Sequence, residues 1–303
     1  MVQLSTSSTA LRKIRTSRPD AQATVAQSLS RPVSAWRVMT ATVIKQLQIT
    51  RRYLPDFVGL LVDLSIRLGF FLLMASVLTV ESEQMQGQSL SGQNLSIYLM
   101  GAMVLFMFQA ATLWGPIDAV TTDLYNGTLE FLYSNPGSRY AYYVGSVVTR
   151  VIVRLPIFLP FYLILVVYSG VSVHSMVLIL LVCMITLVTL TAMGVMVGLL
   201  AILWQRVTSI VGVLERMFEF LSGAYFPLST FPVFVQFLGY LLPYTWSYDL
   251  IRYYSIDGAW RTILPVWQEW AILGGFAIVF IVASRYLLKK VEQLAKRKGL
   301  HLI

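Results

Sequence analysis

The sequence predicts an all-α polytopic membrane protein with six transmembrane helices, and three observations carry that reading. First, the 303-residue chain is 57% hydrophobic and only 12% charged, whereas a soluble domain carries about a quarter charged residues. Second, apolar runs of roughly twenty residues recur along it, the length needed to cross about 30 Å of hydrocarbon. Third, the charges sort by position. Of the 23 Lys and Arg, nine lie in the first 52 residues and six in the last nineteen, while ESEQMQGQSLSGQNL (Glu81–Leu95) has none. Basic residues collect on the cytoplasmic side of membrane proteins. Both termini are therefore expected in the cytoplasm, which requires an even number of crossings. The net charge of +9 then reports orientation and does not call for nucleic acid.

The elements follow in order. Residues 1–33 are rich in Ser, Thr, Gln and Arg and hold no apolar run, so they read as a disordered cytoplasmic tail. They lack the hydrophobic stretch of a secretory signal, although the composition also resembles an organellar transit peptide. Ser34–Tyr53 places Trp36, Met39, Val43 and Leu47 at helical spacing, with Arg37, Lys45, Arg51 and Arg52 mostly elsewhere. That pattern predicts an interfacial amphipathic helix on the inner membrane surface, capped at Ser34. Hydropathy then places crossings at 56–80, 96–120, 147–170, 175–203, 207–224 and 266–288. Thr121–Tyr143 is a cytoplasmic connection, Ser172–His174 a short outer turn, and 291–303 a basic cytoplasmic tail.

The stretch GAYFPLSTFPVFVQFLGYLLPYTWSYDLIR (Gly223–Arg252) is apolar but interrupted by Pro227, Pro232 and Pro243. Its longest run, VFVQFLGYLL, gives about 15 Å of helix, half of what a crossing needs. It predicts a re-entrant short helix on the outer side, started by Thr230 and Pro232 and ended before Pro243, then a second from about Thr245 to Tyr254. Non-spanning backbone at membrane depth is tolerated only against protein or a wet cavity. Pro227, Pro232, Phe237 and Pro243 are accordingly expected to shape an outer gate.

Most catalytic chemistry is excluded by what is missing. Cys183 is the sole cysteine, and His174 and His301 lie outside the apolar runs, so neither a zinc site nor a Cys/His dyad can form. No G-x-x-x-x-G-K-[ST], H-E-x-x-H or G-x-S-x-G occurs, so the chain has no P-loop with which to hold ATP. A membrane-embedded enzyme would need a base or metal that the sequence lacks. No cofactor is expected in this chain. The sequons at Asn94 and Asn126 are too short a pattern to carry weight.

Charges inside the apolar runs remain. Asp63 and Arg67 stand at i,i+4 in the first crossing, which favours a local pair. Glu215, Arg216 and Glu219 lie in the fifth, with Arg216 and Arg67 available as partners. Buried charges of this kind either pair to set packing or line a substrate path, and the residues leave both readings open. Arg150 and Arg154, at the inner end of the third crossing, are expected to snorkel to the inner headgroups. Gly194 and Gly198 allow close helix packing in the fourth.

Two segments carry a family resemblance. GTLEFLYSNPGSRYAYYVG (Gly127–Gly145) contributes Gly127, Thr128, Leu129, Glu130, Leu132, Pro136, Ser138, Arg139 and Gly145. The second contributes Gly223, Pro227, Leu228, Pro232, Pro243, Asp249 and Arg252. In this order and topology, over roughly residues 35–290, they resemble the permease (transmembrane) subunits of ABC-2-type ATP-binding-cassette exporters. Ser146 departs from the pattern where many relatives have lysine, and Glu215, Arg216 and Glu219 are more charge than such permeases carry there. The resemblance implies an ABC-2-type transmembrane domain over 54–290 that pairs as a homodimer and docks two separate ABC ATPase subunits, which hold the ATP and Mg. It implies that Asp123–Tyr133 is a cytoplasmic coupling helix, with Asp123, Leu124, Gly127, Glu130, Phe131 and Leu132 at the ATPase, and that Ser34–Tyr53 is a second contact. It implies outward movement of a hydrophobic or amphipathic substrate (a drug, lipid or lipid-linked molecule) across the bacterial inner (plasma) membrane, among membrane lipids. Competing readings are an ATP-independent channel, an ion-coupled transporter using the intramembrane carboxylates, and a lipid-linked polysaccharide export permease.

Overall fold

The structure, a computed structural model, describes residues 34–50, 54–85, 89–128, 137–203, 207–256 and 258–298. The expected tail at 1–33 and the expected coupling residues Glu130, Phe131 and Leu132 lie outside that set.

Helix α1 (Ala35–Thr50) opens with the Val38 N–H donating to the Ser34 carbonyl at 3.2 Å. It does not rest on lipid alone. It packs along the first half of α4 (Arg139–Ser169), where glycines admit it. A Cβ added at Gly145 would lie 3.0 Å from Thr42 Cβ and 3.1 Å from the Met39 carbonyl, and one at Gly137 would lie 3.1 Å from Val38 Cγ2. Trp36, Ile44 and Ile49 stay exposed on the other side of α1.

Among the described residues, five helical segments are long and apolar enough to cross a membrane: Val58–Val77, Gly92–Tyr125, Arg139–Ser169, Val173–Leu200 and Val266–Val291. They belong to α2 (Leu54–Val77), α3 (Gly92–Tyr125), α4, α5 (Val173–Leu203) and α9 (Val266–Lys298). The protein is thus an all-α integral membrane protein in its spanning part. The expected fifth crossing is α6 (Val207–Leu221), with 15 residues. At 1.5 Å per residue it covers about 22 Å, short of a full span. Glu215, Arg216 and Glu219 interrupt its apolar run. Just past it, Gly223 takes a left-handed φ of +78° that turns the chain, a conformation open to glycine at little cost.

The centre of the bundle is α3, buried along nearly all of its most apolar stretch, with α2, α4, α5, α6 and α8 (Pro243–Ser255) around it. Its seam with α5 is closed by small residues. A Cβ at Gly194 would fall 2.0 Å from the Thr112 carbonyl oxygen, and one at Gly198 2.7 Å from Pro116 Cβ. Pro116 has no N–H, so the Thr112 carbonyl four residues earlier loses its helical partner. The backbone of Gly194 packs against that freed carbonyl. Inside a membrane, such contact replaces the hydrophobic drive that lipid cannot supply.

The ends of α4 follow capping chemistry. The Ser138 hydroxyl accepts from the Ala141 N–H at 3.3 Å, and Gly170 closes the helix at φ +66°. The expected outer loop at 81–95 holds most of a small hairpin, an element absent from the expected architecture. Strands β1 (Thr79–Glu81) and β2 (Ser89–Ser91) pair antiparallel, with Val80 opposite Leu90. Leu90 and Met85 are fully buried beneath it. The Arg261 N–H donates to the Gln84 carbonyl at 2.8 Å, tying the approach to α9 to the same end. The proline-broken stretch forms α7 (Val233–Tyr240) and α8, close to the two short helices expected. Helix α8 begins at Pro243, two residues before the expected start, because proline at a first helical position has its φ already set.

Candidate functional site

Three polar clusters occupy the bundle, each joining elements distant in sequence. The first lies at the end that carries α1. Asp123, in the last turn of α3, accepts from Lys45 Nζ of α1 at 2.8 Å, from Tyr142 Oη of α4 at 2.5 Å, and from Thr128 Oγ1 at 2.9 Å. The Thr128 N–H also donates to the Asp123 carbonyl at 2.8 Å. One carboxylate therefore fastens three helices and the first residues of the loop beyond. Leu124 is half exposed, and Gly127 adopts φ +66° as the chain leaves α3.

Beside this knot is a cavity of about 440 Å³ whose wall includes Lys45, Asp118, Asp123, Arg150 and Arg154. Arg150 pairs with Asp118, and Arg154 Nη1 donates to the Met107 carbonyl at 2.7 Å. The expectation that both arginines reach headgroups is thus corrected. They turn inward because α3 offers them a carboxylate and a carbonyl, and Asp118 would otherwise stand unneutralised at membrane depth.

The second cluster lies deeper. Arg67 of α2 sits over the Phe106 ring at 3.8 Å and donates to Tyr225 Oη at 3.4 Å. That hydroxyl donates in turn to Glu219 Oε2 at 3.0 Å. Tyr225, an ordinary membrane aromatic by sequence, therefore stands between guanidinium and carboxylate. Glu215 Oε2 accepts from Trp114 Nε1 at 2.7 Å, while Gln109 Nε2 donates to the Glu215 carbonyl at 3.1 Å. The expected local pair between Asp63 and Arg67 is not formed. Among the described residues the ion pairs are Lys45–Asp123 and Arg150–Asp118. The aromatic face and hydroxyl across the helix boundary hold Arg67 away, leaving Asp63 exposed. Arg216 is exposed as well.

The third cluster is at the hairpin end. Arg252 of α8, 4% exposed, donates to the Gly223 carbonyl at 2.8 Å and lies over the Tyr98 ring at 3.5 Å. Tyr98 Oη donates to the same Gly223 carbonyl at 2.7 Å. Asp249 accepts from Trp260 Nε1 and from the Ile263 N–H, each at 2.8 Å. Burial pushes the Asp249 carboxyl above its ordinary range, against the hydrogen bonds it accepts. Glu269, fully buried in α9, accepts from the Leu264 N–H at 3.0 Å. Asp249 and Arg252 thus clamp the turn after α6 and the approach to α9.

Of the expected gate residues, Pro227 and Pro232 stand directly before the 3₁₀ turn at Leu228–Thr230 and before α7, and Pro243 starts α8. Phe237 is exposed on α7. On the opposite face, Gly239 abuts α6, where an added Cβ would come within 2.6 Å of the Leu221 carbonyl. Among the described residues, no group of three or more His, Cys, Asp or Glu could hold a metal.

The model of the ABC-2 type transporter family matches residues 66–255, more than half of the chain and including both signature segments. No curated protein matches the chain.

Proposed function

The chain belongs to the ABC-2 type transporter family, and from that premise we propose that it is the permease subunit of an ATP-driven exporter. Two copies pair, and two separate ATPase subunits, which carry the ATP and Mg, dock at the end bearing α1. Both termini lie in the cytoplasm, in keeping with the basic residues concentrated there. The substrate is hydrophobic or amphipathic, a drug, lipid or lipid-linked molecule, moved outward by alternating access. This chain performs no bond chemistry. Its contribution is a difference in substrate affinity between two conformations.

The observation that carries the reading is the Asp123 knot. The coupling segment that the family resemblance implies starts at this residue, and Asp123 is bonded to α1, α4 and the following loop at once. A push on the loop would therefore be delivered to three helices together. The 440 Å³ cavity adjoins that joint and would change shape with it.

The test is co-expression of the chain with candidate ABC ATPases, followed by co-purification and measurement of ATP turnover and of substrate flux in proteoliposomes. We expect a stable complex whose turnover rises with substrate. A Glu130→Arg variant should insert normally yet lose ATPase binding or stimulation. Flux that persists without ATP and without any bound ATPase would sink the exporter reading in favour of a channel or ion-coupled carrier.

A further inference from the structure

The cavity beside the Asp123 knot has a lining that a purely mechanical joint does not call for. Its charged wall sets three cations, Lys45, Arg150 and Arg154, against two carboxylates, Asp118 and Asp123. Lys45 and Arg150 pair with those carboxylates, whereas Arg154 is bonded to the neutral Met107 carbonyl. Among the described residues Asp63 and Glu215 act on Arg154 from beyond ion-pair distance, and Arg150 opposes its charge. The wall thus carries one positive charge in excess, with two guanidinium groups close enough to repel. Bonds within the chain engage Lys45 Nζ, Arg150 Nη2 and Arg154 Nη1, and each of these heads has further N–H groups to donate.

The geometry suits a phosphate. Arg150 and Arg154 stand one turn apart on α4, about 6 Å along its axis, so the oxygens of a single phosphate can accept from both. The way in is open, since the side chains of Lys45, Arg150 and Asp118 are 52%, 36% and 41% exposed. At about 440 Å³ the space is that of a small-ligand site.

The other wall is apolar and stands at the edge of the hydrocarbon. Ile49, Leu60 and Val153 line it, and Leu60 is the third residue of the apolar span of α2, which starts at Val58. Leu61 of α2 and Ile152 of α4, next to two of these positions, are exposed. A soluble anion gains nothing from that wall, whereas acyl chains do.

We propose that this cavity holds the phosphate headgroup of an anionic phospholipid from the leaflet at the α1 end, gripped by Arg150 and Arg154, with its chains leaving over Ile49, Leu60 and Val153. The arginines do not reach out to the headgroup plane; one headgroup comes in to them. Basic pockets between membrane helices take anionic headgroups in this way. The lipid would brace α1, α2 and α4 against α3 beside the carboxylate that fastens the joint. Such a site needs neither an ATPase nor a transported molecule, so it stands or falls apart from the exporter reading.

The full-length chain, purified in detergent, is examined by native mass spectrometry with phosphatidylglycerol, with phosphatidylcholine of the same chains, and with inorganic phosphate. One phosphatidylglycerol is expected to stay on each chain, with phosphatidylcholine held more weakly and phosphate unable to displace the lipid. Phosphatidylglycerol carrying a diazirine near the glycerol should label Ile49, Leu60 or Val153. Thr122 is exposed on the cavity wall, so Thr122→Asp should keep its thermal stability yet weaken retention of phosphatidylglycerol about fivefold, the worth of one basic contact near an anionic surface. Arg154→Gln should weaken it likewise and leave phosphatidylcholine unmoved. Equal retention of the two lipids, labelling confined to other segments, or a folded Thr122→Asp chain that keeps its phosphatidylglycerol would overturn the site. Displacement by inorganic phosphate at matching concentration would overturn the lipid in favour of a soluble anion.

Discussion

Asp123 shows how one side chain can concentrate a mechanical role. Lys45, Tyr142 and Thr128 all donate to it, so Asp123→Ala would remove the one carboxylate that α1, α4 and the loop share. We expect normal insertion with at least about a tenfold loss of substrate-stimulated ATP turnover, measured on the reconstituted complex, if this joint transmits the push. Lys45 is half exposed and its loss should be milder. At the second cluster, Tyr225→Phe removes the hydroxyl between Arg67 and Glu219. Interhelical hydrogen bonds in membranes are worth about 1 kcal/mol, so a modest fall in thermal stability in detergent is expected. No change at all would mean that Arg67 and Glu219 find each other directly. Arg67, Arg150, Arg154, Glu215 and Glu219 were legible as charges in apolar runs, and Asp123, Asp249 and Arg252 through the family resemblance, but Asp118 and Glu269 were not, and neither were the aromatic and backbone groups that these charges meet. Tyr142, Tyr225 and Trp114 look like ordinary membrane aromatics in sequence, and only the packing of distant helices turns them into donors.

At the scale of elements, hydropathy located the long helices because their length and composition answer to the bilayer. It did not reveal that α6 stops short, since a window average blurs the three charges that interrupt it. The hairpin was also hidden: three-residue strands are too brief for a two-residue alternation to register. The proline-broken stretch was read closely, because Pro227, Pro232 and Pro243 limit helices by covalent geometry rather than by tertiary context. The Gly194–Gly198 seam was legible as a motif, but its mate was not. With α3 identified, the prediction sharpens. Gly194→Leu must displace the Thr112 carbonyl and should cost at least about 1–3 kcal/mol, seen as loss of folded protein in a thermal-shift assay. Leu substituted at Gly274, where an added Cβ meets nothing within 4 Å, should be tolerated.

The whole molecule places its charge knots at different levels around one central helix. Asp249 and Arg252 at the hairpin end are held by backbone carbonyls, an N–H and aromatic groups. The Asp123 knot at the other end is held by side chains from three segments. We expect the first to behave as a fixed anchor: Arg252→Ala should lower the yield of folded protein several-fold, by leaving the Gly223 turn unclamped. Asp123→Ala should spare yield and affect turnover. Equal loss of yield in both variants would remove the distinction between anchor and joint.

Helix α3 has a further consequence for the surroundings in which the protein can work. Its 34 residues make roughly 51 Å of helix, far more than the thickness of any bilayer core. Because its neighbours jacket it, that excess needs no matching to lipid length. Thinning or thickening the membrane would act on α2, α4, α5 and α9, which meet the acyl chains, and reach α3 only through them. The helix that carries Gln109, Asp118 and Asp123 is thereby insulated from hydrophobic mismatch. Changes in acyl-chain length should alter the tilt of the outer helices well before they disturb those polar contacts.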